Sequence, residues 1–408
     1  MILGAYRSLL REPGFPRLVF AVNLTRIPVA MIPLAEILLV RRRTGSYVDA
    51  GVVTAAWALA SGLLAPLQGR LVDRLGQPRV LLPCAAVCAA ALGGFVAVAM
   101  GGAHIWALAA LSALAGAAYP PVGASMRELW RAHFGDDESR LGSAYSFESV
   151  LVELVFVVGP ALCGLIVALA SPQAAIAGAA VCVALGTTVM ATSPVSRSWP
   201  TQPVTTGLAG ALSDRRLRSL VLLTVPVGAA LGVLDIGMPA FARAHGHPSI
   251  AGLLLTAFAI GSMAGGIWFG SRSWPAASLY RRFVLVTMLF AIGLLPLAAA
   301  PSLAAMVPLA ALAGLSFAPA VTCMYLLVDR VAPAGTGTEA YTWILTATAG
   351  GQAIGAGVGG VIAQHAGVRP ALLVASGAAL LGVLVALARR RTLAQAPLPA
   401  AGVRAHPA

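Results

Sequence analysis

The chain contains no lysine; all 27 of its basic residues are arginine. That absence excludes a Walker A phosphate loop and a lysine Schiff base, both of which need the amine. ATP hydrolysis by that route is therefore excluded, and no enzymatic chemistry is expected. Charge of either sign is scarce, at 10% of 408 residues against about a quarter in soluble domains. Cysteine is confined to Cys84, Cys88, Cys163, Cys182 and Cys323, all inside apolar runs. Cys84 and Cys88 share a helix face, but no histidine or second cysteine pair stands near them. No metal and no cofactor is expected, and the thiols read as small buried hydrophobes. The formal charge of +13 does not mark a nucleic-acid partner, because the arginines are scattered through short connections rather than gathered on a polar face.

Apolar residues fill the space that charge leaves, at 59% of the chain. A soluble fold cannot hide that much apolar surface from water, so the lipid bilayer is the expected solvent and partner. A spanning helix takes about 20 residues, which leaves room for about twelve. The apolar runs fall near 15–40, 48–71, 79–100, 103–125, 144–170 and 172–192, and again near 218–241, 249–270, 283–300, 302–328, 338–364 and 368–388. The first is longer than a signal-peptide core and lacks a small-residue cleavage site, so it is expected to remain as a span. The expected organisation is an N-terminal six-helix half over 1–192, a polar linker over 193–217, a C-terminal half over 218–388, and a disordered Ala/Pro-rich tail over 389–408.

If the N-terminus is cytoplasmic, twenty-one arginines fall on that side and five outside, with Arg26 inside the first span. The bias favours two cytoplasmic termini. Arg41, Arg42 and Arg43 on the outside are the discordant feature.

The two halves also repeat one another. Ala144-Tyr145-Ser146-Phe147 recurs as Ala340-Tyr341-Thr342-Trp343, and Gly159, Gly164 and Ile166 match Gly355, Gly360 and Ile362 at the same offset of 196. At an offset of 201, Trp57, Ser61 and Gly69 match Phe258, Ser262 and Gly270. In duplicated transporters the site lies near the midplane between the repeats.

Between the second and third runs stands Gly69-Arg70-Leu71-Val72-Asp73-Arg74-Leu75-Gly76-Gln77-Pro78-Arg79. Gly69 permits close approach of a neighbour, Gly76 permits a tight turn, and Asp73 can accept hydrogen bonds from a helix N-terminus or an arginine. The segment resembles the cytoplasmic loop of the major facilitator superfamily. That resemblance implies an all-α integral membrane fold of 12 transmembrane helices in two pseudo-symmetric six-helix halves. It implies a monomer in the plasma membrane, and a latch role for Gly69, Asp73, Arg74, Gly76 and Arg79. The repeat counterpart, Gly270 to Pro275, has lost the acid, so a weaker latch is expected there. Gly159-Pro160 followed by Gly164 resembles the fifth-span motif of antiporters in this superfamily. Proline kinks the helix, and the two glycines are expected to allow close packing. The fourth-span arginine of proton-linked members is absent, Ser112-Ala113-Leu114 standing before Ala115-Gly116. Arg26 and Arg127 are its possible substitutes.

Ionisable residues at membrane depth are functional candidates by default. Here they are Arg26, Glu36, Glu153 and Asp235. A carboxylate kept from water between helices exchanges a proton near neutral pH, as coupling requires. Glu153 is the first choice for that role and is also the expected partner of Arg26. Glu36 and Asp235 are expected nearer the outer surface in solvated or capping roles. Glu148 and Glu339 are read as opening their helices, where negative charge suits the helix dipole, and as gate residues. The leading function is proton-coupled efflux of a small apolar or amphipathic drug or metabolite by alternating access. The first alternative is a proton symporter importing a nutrient such as a sugar or organic anion; the second is a non-transporting receptor or complex subunit.

Overall fold

The computed structural model describes residues 8–44, 47–102, 104–135, 137–197, 210–247, 250–272 and 274–393. The centre of the expected linker, 198–209, and the tail beyond Leu393 lie outside the described residues. The N-terminal half contains α1 (Phe15–Thr44), α2 (Tyr47–Leu75), α3 (Gln77–Met100), α4 (Ile105–Ala117), α5 (Val122–Phe134), α6 (Glu138–Leu169) and α7 (Pro172–Ala191). The C-terminal half repeats the plan in α8 (Arg215–Ala244), α9 (Ala251–Gly270), α10 (Leu279–Ala298), α11 (Leu303–Gly314), α12 (Phe317–Val331), α13 (Gly337–His365) and α14 (Val368–Ala388).

Eleven helical segments among the described residues are long and apolar enough to cross a membrane, α4 with α5 and α11 with α12 each counting as one. The expected count of twelve is completed only if α13 is added. That helix has the length, at 29 residues, but it is diluted by glycine and threonine. Its composition follows from its packing: Gly351 and Gly355 lie against the backbone of α8 at Val225 and Ala229, while Gly228 and Gly232 of α8 lie against Thr348 and Gln352. Small residues let two helix backbones touch where larger ones would hold them apart.

The fourth and tenth spans are broken at related places, and proline explains both breaks. Pro120 and Pro121 have no N–H to give the carbonyls of the preceding turn, and α4 ends at Ala117. The freed carbonyl of Ala117 accepts from Gln68 Nε2 at 2.6 Å, so the break leaves no orphan there. Pro319, in the first turn of α12, likewise cannot bond Leu315, where α11 stops. The sequence-based limits need two corrections. The fourth span continues to Phe134 rather than near 125, and α6 starts at Glu138 rather than near 144. Both extensions are polar, but protein rather than lipid buries much of them.

Helix polarity puts the Gly76 loop, the start of α6 and the start of α13 at one end of the bundle, here the loop end. The buried apolar residues form three clusters. One mixes both halves and lies toward the loop end, including Val72, Leu129, Leu141, Phe269, Val328 and Ala340. The other two lie toward the far end, and each is built from one half alone. The halves are therefore sealed together at the loop end and cored separately beyond it.

Arg41, Arg42 and Arg43 occupy the last turn of α1. There they face the partial negative charge of the free carbonyls, a physical reason for an arginine run on the minority side.

Candidate functional site

Two seams join the halves, and the repeat relates them. On the first, Gly69 of α2 meets the start of α13 so closely that an added Cβ would stand 2.6 Å from Thr342 Oγ1 and 2.9 Å from the Thr338 carbonyl. That approach lets the buried Asp73 carboxylate accept from the backbone N–H groups of Thr338 at 3.1 Å and Glu339 at 2.9 Å. These N–H groups have no partner within their own helix, and the positive end of the α13 dipole favours the charge. Asp73 thus caps a helix of the opposite half. Glu339 is buried as the third residue of that helix, and its N–H is part of this contact. Gly76 takes φ +87° as the residue before α3, a conformation suited to glycine. Arg74 and Arg79 are exposed at the loop end; the contact is made by Asp73 and Gly69.

The second seam joins α6 to α9. Ser143 Oγ donates to the Gly270 carbonyl at 2.6 Å. The acid missing from the Gly270 to Pro275 segment is replaced from the other side: Glu138, which opens α6, pairs with Arg330 at 2.6 Å and Arg282 at 3.6 Å. This seam carries its own ion pairs, with the acid on α6 rather than on the loop segment after α9. The cross-half hydrogen bonds reach as far as Thr346 Oγ1 to the Gly62 carbonyl on one seam and Ser262 Oγ to Glu153 on the other, each 2.8 Å.

Between the seams, residues meet their own repeat mates. Tyr145 and Tyr341, matched in sequence, lie hydroxyl to hydroxyl at 2.6 Å, and both donate to Asp329, Tyr145 at 2.6 Å. At an offset of 198, which pairs Gly116 with Gly314 and Met126 with Met324, Arg127 matches Tyr325 and Arg131 matches Asp329. The Arg127 guanidinium lies 4.1 Å from the Tyr325 ring centre, and Arg131 lies 3.8 Å from Asp329. Self-pairing of equivalent positions is what a two-fold axis imposes on residues beside it. Sequence reading missed Glu128, Glu138 and Asp329, and it took Tyr145 and Tyr341 only as markers of repetition.

The buried Glu148 corrects two expectations. It stands about 15 Å inside α6 at 1.5 Å per residue, not at its start. Its carboxylate is the partner of Arg26, with Arg127 at 3.3 Å on the same oxygen. Glu153 is not that partner. Five residues further along α6 is about 140° around the helix, which turns Glu153 toward Ser262 of the other half.

Gly159 and Gly164 also differ. A Cβ at Gly159 would stand 2.7 Å from that of Ala30 in α1, whereas one at Gly164 would meet nothing within 4 Å. Only Gly159 serves close packing beside Pro160. We therefore expect Gly159→Val to lower the thermal unfolding midpoint of the purified protein and Gly164→Val to leave it nearly unchanged; equal effects would contradict this.

The two remaining acids behave oppositely. Glu36 is 0% exposed and hydrogen-bonded to Ser112, contrary to a solvated role, while Asp235 on α8 is exposed.

With this geometry in view, comparisons place the chain. The profile of the Major Facilitator Superfamily matches residues 18–349 and 220–407. The multidrug efflux pump Tap of Mycobacterium tuberculosis is 28% identical over 304 residues, covering 69% of this chain and 70% of its own. An uncharacterised transporter of the same superfamily type from Sinorhizobium fredii, y4rN, is 31% identical over 194 residues, 44% of this chain and 46% of its own. Among solved structures, the human organic anion transporter MFSD10 gives a TM-score of 0.72 at 18% identity, covering 92% of this chain and all of its own. The E. coli fucose:proton symporter FucP gives 0.69 at 15% identity, covering 93% and 99%. At such identities these two likenesses speak for the fold alone. A helical bundle in two related halves, the Gly69 to Arg79 loop and the matching profile lead to one conclusion: the chain belongs to the Major Facilitator Superfamily of membrane transporters.

Proposed function

We propose that the protein exports small apolar or amphipathic compounds, drugs or metabolites, by alternating access, driven by protons moving inward. It does so as a monomer in the plasma membrane, with the loop end and both termini in the cytoplasm. The observation that carries this reading is the asymmetric join of the halves. They are sealed at the loop end by the Asp73 cap, the Tyr145–Tyr341–Asp329 cluster and the Glu138 ion pairs, and cored separately toward the far end. Polar contacts of this kind can be exchanged for water, so the seal is one that rocking of the halves can open.

Efflux is supported by the likeness to Tap and by the Gly159-Pro160 kink of α6. The positive-inside bias supports the orientation. Proton drive is supported by the acids within the spans, Glu36, Glu153 and Asp235, and by the missing lysine of a phosphate loop.

The test uses everted membrane vesicles from a bacterial strain stripped of its own exporters, with ethidium as the probe. Respiration acidifies the lumen, and the proposal expects ethidium to accumulate there until a protonophore collapses the gradient. Ethidium moving with the proton flow would mark a symporter. Absence of flux under either gradient, with ethidium and with a panel of lipophilic cations and neutral drugs, would favour the receptor or subunit reading.

A further inference from the structure

We infer that Glu36 carries the coupling proton, and that in this conformation it holds that proton through a relay from Glu36 to Ser112 to the backbone carbonyl of Val53. The inference rests on the proton-driven reading above and names the residue for it.

Hydrogens are too few around Ser112 for an ionised Glu36. Ser112 Oγ lies 2.8 and 3.0 Å from the two Glu36 oxygens and 3.1 Å from the Val53 carbonyl oxygen. A serine hydroxyl has one hydrogen to give, and three acceptors surround it. If Glu36 were ionised, two charged oxygens out of reach of water would share that one hydrogen, while the Val53 carbonyl would keep only the N–H of Trp57 that it accepts within α2. If Glu36 carries a proton, its O–H donates to Ser112 Oγ, Ser112 donates to Val53, and each group is served. Burying a carboxylate with a single neutral donor is costly, and a neutral acid avoids that cost.

No neighbouring charge alters the count. Arg26, about 15 Å away along α1, is engaged with Glu148. Arg41 stands about 7.5 Å further along α1 and is exposed. Of the elements around α1, α2 offers Asp49 in its first turn, α3 and α7 offer the thiols Cys88 and Cys182, and α6 offers Cys163 and Glu153, the last hydrogen-bonded to Ser262. Among the described residues, Glu36 has no ion pair.

The second half supplies an internal control. At an offset of 199, Thr25, Ala30, Glu36 and Ile37 match Thr224, Ala229, Asp235 and Ile236, and both threonines bond the carbonyl four residues back. At the offset of 198 that relates the fourth and tenth spans, Ser112 matches Ala310. The second half keeps the acid but lacks the hydroxyl, and its acid lies exposed. Of the two matched acids, the one beside a hydroxyl is the one that is buried.

Glu36 lies about 12 Å from the far end of α1, within reach of that side when the helices part. Losing the proton turns the Ser112 hydroxyl from Val53 to the carboxylate. The contact of α1, α4 and α2 therefore changes with the charge, and that change ties proton movement to the rocking of the halves.

The test combines a spectroscopic and a transport readout on the full chain in proteoliposomes. Infrared difference spectra of wild type against Glu36→Gln should show the loss of one protonated-carboxyl C=O band. Ser112→Ala should shift that band and Ser112→Thr should restore it; absence of a band assignable to Glu36 overturns the inference. In ethidium transport, Glu36→Gln should retain exchange across equal concentrations, because the amide mimics the protonated acid. It should fall to the protonophore-treated level when a proton gradient is the drive. Proton-driven transport persisting in Glu36→Gln removes Glu36 from the role while leaving proton coupling itself intact. A wild type indifferent to protonophore would instead overturn the proton-driven reading and the carrier role together, whatever the infrared band reports.

Discussion

Glu148→Gln is expected to yield a protein that unfolds far more readily than the wild type. Glu148 is the shared counter-ion of Arg26 and Arg127, all three buried. Removing one partner of a buried pair costs about 3–5 kcal/mol, because the remaining charge is left uncompensated, and here two arginines are left. Against a total stability of about 5–15 kcal/mol for a folded domain, that is a large fraction. The measurement is the thermal unfolding midpoint in detergent, followed by loss of the monodisperse peak. Pairing Glu148→Gln with Arg26→Gln should recover part of the loss, since Arg127 keeps its place over the Tyr325 ring. A single Glu148→Gln variant as stable as the wild type would contradict the assignment.

The second large effect is on conformation rather than folding. Asp73→Asn keeps the shape of the side chain but removes the charge from the start of α13 and leaves a single oxygen for two N–H donors. A helix cap of this kind contributes about 0.5–2 kcal/mol, and 1.4 kcal/mol is a factor of ten in an equilibrium. The ratio of sealed to parted molecules at the loop end should fall about tenfold toward the upper half of that range, and ethidium export should fall with it. The unfolding midpoint should stay near the wild-type value, because the contact belongs to one conformation of an intact bundle. Unchanged transport in Asp73→Asn would rule out the latch.

The fold was largely legible in the sequence because its signals are long-range and redundant: apolar runs of spanning length, a repeat, and a loop of specific spacing. What escaped was polar structure that protein buries. Arg127, Glu128 and Arg131 lie beyond the span limit drawn near residue 125, yet they belong to α5 and line the join between the halves. Hydropathy assigns such residues to water because it does not know that another helix covers them. Glu148 was mistaken for a helix opener for the same reason, the preceding turns of α6 being polar. The partner of Arg26 was missed because Glu148 and Glu153 lie only five residues apart on α6, and only the rotation of that helix separates them. The axis cluster did leave a signal. Tyr145 and Tyr341 are polar-tipped residues at equivalent places in a duplicated chain, and equivalent residues near an axis are drawn to one another.

Alternating access requires the halves to rock about a midplane site, with the sealed and parted ends exchanging roles. Spin-label distances test it most directly, in one pair at Arg79 and Arg281 on the loop end and another at Arg43 and Ala244 on the far end, all exposed positions. Introducing Asp73→Asn should lengthen the first distance and shorten the second in the same preparation. Both distances moving in the same direction, or neither moving while export is lost, would rule out rocking of the halves.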